Sequence, residues 1–106
     1  MIPLRHQFLM TEIELCAWLS QALPQDALEY HRGFLVLDVD AQISRLANSD
    51  RLELIAVASR ARWAAEKRLV HLVQRRLGDS RFSYLAIVRP RPEIPALYSM
   101  LLAEAA

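Results

Sequence analysis

RLELIAVASRARWAAEKRL (51–69) followed by VHLVQRRLGDSRFSYLAIVR (70–89) is the stretch in which the hydrophobic period changes once, and that change decides the fold. Over the first part the apolar residues recur at helical spacing. At about 100° per residue, Leu54, Val57, Ala58, Ala61, Ala65 and Leu69 form one stripe, the core side. Leu52, Ser59, Arg60, Trp63, Glu66 and Lys67 collect on the opposite side. The alanines keep the core side narrow enough for close approach by a neighbour. After Leu69 the residues become β-formers: Val70, Leu72 and Val73 begin a strand, Gly78-Asp79-Ser80 supplies a turn, and Phe82 to Val88 returns. This is the pattern of a hairpin, and Leu85 and Ile87 are expected to face inward.

Charge is concentrated in the same stretch. From Arg60 to Arg91 nine basic residues stand against Glu66 and Asp79, a local net of +7 that the whole-chain value of +1 conceals. Met1 to Ser59 carries four basic and eight acidic residues, a net of −4. Like charges clustered in this way form a surface aimed at an anionic partner. Trp63 sits among them with Arg60 at i−3 and Lys67 at i+4. It is either packed against the first helix, the ribbon or the C-terminal segment, or an anchor in an interface, where tryptophan and arginine are enriched.

At 106 residues and 54% hydrophobic the chain is expected to form a single domain, 1–106, with a core of its own. One cysteine, Cys16, excludes an internal disulfide and a Cys-based zinc cluster. With three scattered histidines, no metal and no cofactor are expected, and the setting is read as a reducing cytoplasm. No apolar run approaches the roughly 18 residues that span a bilayer. The opening MIPLRHQFLM lacks the pattern of a signal peptide.

Ahead of the long helix, Thr11-Glu12-Ile13-Glu14 forms a capping box, and Leu15, Trp18, Leu19 and Ala22 follow at i, i+3, i+4, i+7. This helix is expected to stop near Leu23, before Pro24, with Cys16 packed as a small hydrophobe. Ala27 to Val39 reads as extended, interrupted by Gly33 as a bulge or a hairpin turn. Tyr30, His31 and Arg32 are the residues there that could carry chemistry, with His31 suited to serve as a general base, yet no nucleophile is marked by a motif. An exposed or edge-strand histidine and a non-enzymatic protein are the expectation. Asp38 and Asp40 share a face if the strand persists, a weak set for a hard cation. Ala41 to Ala47 reads as a two-turn helix, Asn48-Ser49-Asp50 as a break, and Asp50 with Glu53 as the capping box of the long helix. Short helix, three-residue turn and long helix have helix-turn-helix spacing.

The order helix, strand, short helix, turn, long helix, hairpin resembles the winged-helix DNA-binding fold over Thr11 to Arg89, an α+β architecture. EKRLVHLVQRRLGDSRFSYLAI (66–87) resembles the end of that fold's recognition helix leading into its wing. The small size, the arginines and the lack of a catalytic motif are also similar to small accessory proteins of phages and mobile elements. The resemblance implies that the Arg60, Arg62, Trp63 and Lys67 side of the helix enters or borders a major groove. Arg68 belongs to the same cationic surface, and Arg75, Arg76 and Arg81 touch phosphate. Phosphate contacts supply affinity and register, base contacts supply sequence preference. Four to six such contacts give a log K versus log salt slope of roughly −4 to −5. Residues 93–104, opening on Pro95, read as a C-terminal helix whose Leu97, Met100 and Leu101 are the candidate homodimer contact. The alternative is a protein-interaction module or inhibitor that offers the same basic, Trp-containing face to an acidic partner.

Overall fold

The computed structural model describes residues 10–90 and 101–104. The elements are α1 (Glu12–Gln21), β1 (Ala27–Gly33), α2 (Leu35–Asp38), α3 (Asn48–Glu66), β2 (Val70–Gly78) and β3 (Arg81–Val88). Residues 101–104 are also helical. The fold is mixed α+β with one three-stranded antiparallel sheet in the order β1-β3-β2.

α1 starts where the capping box places it. Thr11 Oγ1 accepts from the Glu14 N–H at 3.1 Å, and Glu14 Oε1 accepts from the Thr11 N–H at 2.8 Å. Two orphan donors of the first turn are thereby satisfied. Leu15 and Leu19 are buried and Trp18 is half-buried against them. Cys16 lies on the exposed side of the helix, not in the core as expected, because it falls one position past the buried stripe.

β1 is half as long as the 27–39 stretch suggested. Its pairing with β3 slips between Glu29 and His31, so Tyr30 is a bulged residue, and it ends at Gly33 with φ of 147°. A Cβ at Gly33 would come within 2.5 Å of Asp38 Oδ2. The same carboxylate oxygen accepts from the Phe34 N–H at 3.0 Å and lies 2.7 Å from His31 Nε2. These bonds turn the chain off the sheet edge into α2 and form neither a longer strand nor a hairpin. Asp38 and Asp40 therefore do not share a strand face.

Residues 41–47 are not helical. Asp40 Oδ1 accepts from the Gln42 and Ile43 N–H groups at 2.8 and 3.0 Å. A short acidic side chain bonded to its own backbone in this way competes with helix formation. The short helix falls at Leu35–Asp38, so no three-residue turn precedes the long one. α3 itself begins three residues earlier than the Asp50 cap would have it, after Ala47, and Asp50 is buried in its first turn. Glu53 is not a capping residue; its Oε2 accepts from the Glu12 N–H at 3.4 Å, linking α3 to the start of α1. Arg51 holds the preceding loop, donating to the Val39 carbonyl and to Asn48 Oδ1.

Leu15, Leu19, Val57, Ala61, Ala64, Leu69, Val70, Ala86 and Val88 form the core, where α1 packs on α3 and α3 on the sheet. Each large aliphatic among them contributes about 1.5–3 kcal/mol. On β3 the inward residues are Tyr84, Ala86 and Val88, so the expected register of Leu85 and Ile87 is reversed. The reason is pairing parity: Leu28 opposite Ala86 and Val70 opposite Val88 commit the even-numbered side of β3 to the helices. Ala86, with its small side chain, lets the helical layer close on the centre of the sheet. No helix of the described residues is long and apolar enough to cross a membrane.

Candidate functional site

The open stripe of α3 is formed by Leu52, Ile55, Ser59, Arg62 and Glu66, all exposed. Arg60 and Trp63 are not on it. They lie on the flank that meets α1, where Arg60 Nε donates to Glu12 Oε2 at 3.3 Å and the guanidinium sits 4.8 Å from the Trp63 ring centre. Trp63 lines a small cavity with Cys16, Leu19, Ser20 and Leu101, and its buried indole N–H meets no acceptor among the described residues. The sequence grouped Arg60 and Trp63 with Ser59 and Lys67 because a two-face division of a helix ignores the flank. A neighbouring helix claims that flank.

The other expected cations divide in the same way. Lys67 Nζ lies 3.8 Å from Glu104 Oε2. Arg76 donates to Asp79 Oδ1 and to the Gly78 carbonyl, each at 3.2 Å, within the turn. Arg62, Arg68 and Arg81 are exposed and make no ion pair among the described residues. Arg75 is exposed on β2, within electrostatic range of Glu29.

Arg68 has φ of 62°, a left-handed conformation usually given to glycine. It closes α3: the Arg68 N–H reaches the Ala65 carbonyl at 3.0 Å and the Leu69 N–H the Ala64 carbonyl at 2.9 Å. This crossed pair is the Schellman pattern, here built on an arginine that holds its side chain off the helix end. Ser80, not Gly78, takes the left-handed position in the β2–β3 turn, with φ of 56°.

A second polar group escaped the sequence reading. On the outer face of the sheet the Ser83 hydroxyl donates to Glu29 Oε2, and the Arg32 guanidinium donates to the same carboxylate. The Ser83 hydrogen bond, then Arg32 and Arg75, hold the Glu29 carboxyl below its ordinary value despite partial burial. On the inner face, burial and the nearby Tyr84 push the Tyr30 hydroxyl up. The His31 ring is 4% exposed and 5.8 Å from the Tyr84 ring. His31 is thus on an edge strand as expected but buried, bonded to Asp38 in a lock on the β1–α2 corner. Tyr84 completes that corner by accepting from the Leu35 N–H at 2.9 Å. The separation of seven residues across a glycine is the only sequence signal for the His31–Asp38 pair.

Two open clefts flank these groups. One of about 270 Å³ is bordered by Tyr30, Asp50 and Glu53, and one of about 490 Å³ by Phe34, Ile43 and Arg45. Among the described residues no cluster of three metal-ligating side chains occurs. Leu97 and Met100 of the expected dimer contact, and Pro95, lie outside the described residues; Leu101 lines the Trp63 cavity of its own chain. Comparison with known proteins finds no matching family model, no similar curated protein and no similar solved structure.

Proposed function

We propose that this chain is a small, non-catalytic DNA-binding module of the winged-helix kind, a regulator of transcription, in which the ribbon supplies more of the cationic contacts than the helix. The order α1, β1, α2, α3, β2, β3 supports the resemblance, although α2 is a single turn and sits further from α3 than a tight helix-turn-helix requires. The observation that carries the reading is the free end of the β2–β3 ribbon, where Arg75, Arg76 and Arg81 are all exposed and only Arg76 is bonded to a carboxylate. Arg62 on the open stripe of α3 and Arg68 at its end add two cations. The ribbon then binds phosphate, and α3 borders the major groove with few groups that read bases.

Mobility shift with the chain's own upstream DNA and with random duplex, at two salt concentrations, tests this. Contacts from Arg62, Arg68, Arg75 and Arg81 give a log K versus log salt slope of about −3 to −4. The absence of a shifted band at low salt, or an affinity that does not change with salt, overturns it. The open stripe of α3 favours a second reading, a protein-interaction module with an acidic partner, because Leu52 and Ile55 are 51% and 36% exposed there. In that case no duplex binds, and Leu52→Asp abolishes capture of the partner.

A further inference from the structure

β2 is the longest strand and occupies an end of the sheet, with β3 on one side and no strand on its other edge among the described residues. From His71 to Gly78 every residue is exposed, and three large apolar side chains are among them: Leu72 at 38%, Val73 at 39% and Leu77 at 43%. A run of backbone N–H and C=O groups with no strand partner among the described residues, flanked by apolar side chains, is a template for another strand. The opposite edge of the sheet is protected differently. β1 carries a bulge at Tyr30, a Glu29–Arg32 ion pair and a sharp exit at Gly33. Both its bulge and its short length blunt strand addition.

The side chains of β2 say what fits. Successive residues point to opposite faces, so Leu72 and Val73 offer one apolar group to each face. Two residues on, Arg75 and Arg76 offer one cation to each face. The strand VHLVQRRLG contains no carboxylate. A second copy of β2 would bring two more arginines to the same ladder and no carboxylate on the strand itself, the nearest acid, Asp79, being taken up by Arg76 of its own turn, and like charges on neighbouring strands repel. Charge therefore selects against self-pairing.

We infer that the free edge of β2 accepts an extended strand from a different protein, carrying two consecutive apolar residues and, offset by one residue, two consecutive acidic ones. Backbone ladder bonds supply the affinity, and Arg75 and Arg76 choose the acidic partner. Strand capture needs the backbone groups of β2 as well as its arginines, whereas duplex binding needs only the arginines, so the two compete for Arg75 and Arg76 but are told apart by their need for the backbone.

The test is selection of random displayed dodecapeptides on the immobilised full chain, followed by anisotropy titration of a labelled selected peptide. Enrichment of the apolar-pair, acidic-pair pattern is expected. Arg75→Glu with Arg76→Glu, both exposed and outside the core, should weaken the selected peptide by about tenfold or more. N-methylation of alternate peptide amides should abolish binding for one set and spare the other, since only every second amide of an edge-paired strand faces the ladder. No enrichment over the bare support overturns the proposal. So do selected peptides whose affinity ignores the charge reversal, or whose two N-methylated sets bind alike.

Discussion

The last turns of α3 and the free end of the β2–β3 ribbon carry the same kind of side chain and spend it differently. On the helix, Arg60 is turned onto Glu12 and the Trp63 ring, and Lys67 reaches Glu104. On the ribbon, Arg75 extends from β2, exposed along its whole length past Val70, and Arg81 is the exposed first residue of β3 beside the turn. The helix lies between layers, so any long side chain on its flank meets another element. The outer strand of the ribbon and its turn, residues 71–81, meet solvent. Cations near acidic neighbours hold the fold together; cations beyond their reach are available to a partner.

Replacing the ribbon cations should give the largest effect on binding. Arg75→Ala, Arg76→Ala and Arg81→Ala together are expected to lower duplex affinity by roughly 30- to 100-fold at low salt and to make the salt slope shallower by about 2 to 3. The melting temperature should stay unchanged. A triple variant that binds as the parent does would erase the distinction between helix and ribbon.

Asp79 holds Arg76 within the turn, and Glu29 is the acidic group outside the turn that acts on a ribbon cation, Arg75, so Glu29→Gln sharpens the comparison. Losing the charged partner of the Ser83 hydroxyl should destabilise the chain by about 1 kcal/mol at neutral pH, after allowance for the part-exposed carboxylate. Freeing Arg75 should raise duplex affinity about twofold. The sign of the pH dependence follows from the lowered carboxyl. Its stabilisation is fully present above the ordinary value of 4.5 and disappears as pH falls through the lower, folded value. Denaturant titrations of parent and variant should therefore converge in that acid range.

The smallest effect is expected on the helix. Arg60→Ala should cost about 0.5–1 kcal/mol of stability through the lost ion pair and ring contact. Duplex affinity should change less than twofold, since the side chain is already engaged with α1. A large binding defect with an unchanged melting temperature would move Arg60 back to the binding surface.

Much of this was legible in the residues. The capping box at Thr11, the long helix, and the hairpin after Leu69 with its turn at Gly78-Asp79-Ser80, of which Gly78 proves to end β2, all depend on contacts a few residues apart, and local sequence states them directly. The β1–α2 corner was not legible, because it depends on one carboxylate, Asp38, holding two partners at once, the His31 ring and the Phe34 N–H. The register of β3 was not legible either: SYLAIV is apolar on both faces, so only pairing with Leu28 and Val70 decides that Ala86 and Val88 face the helices.

By itself the sequence determined the α+β content, the long helix followed by a ribbon, and the concentration of positive charge in the second half of the chain, since these are properties of spacing and composition. Tertiary structure alone decided which cations are free. An arginine reaches several ångströms beyond its backbone, and its partner is set by whichever element packs alongside: α1 beside Arg60, and for the exposed Arg81 at the ribbon tip, solvent.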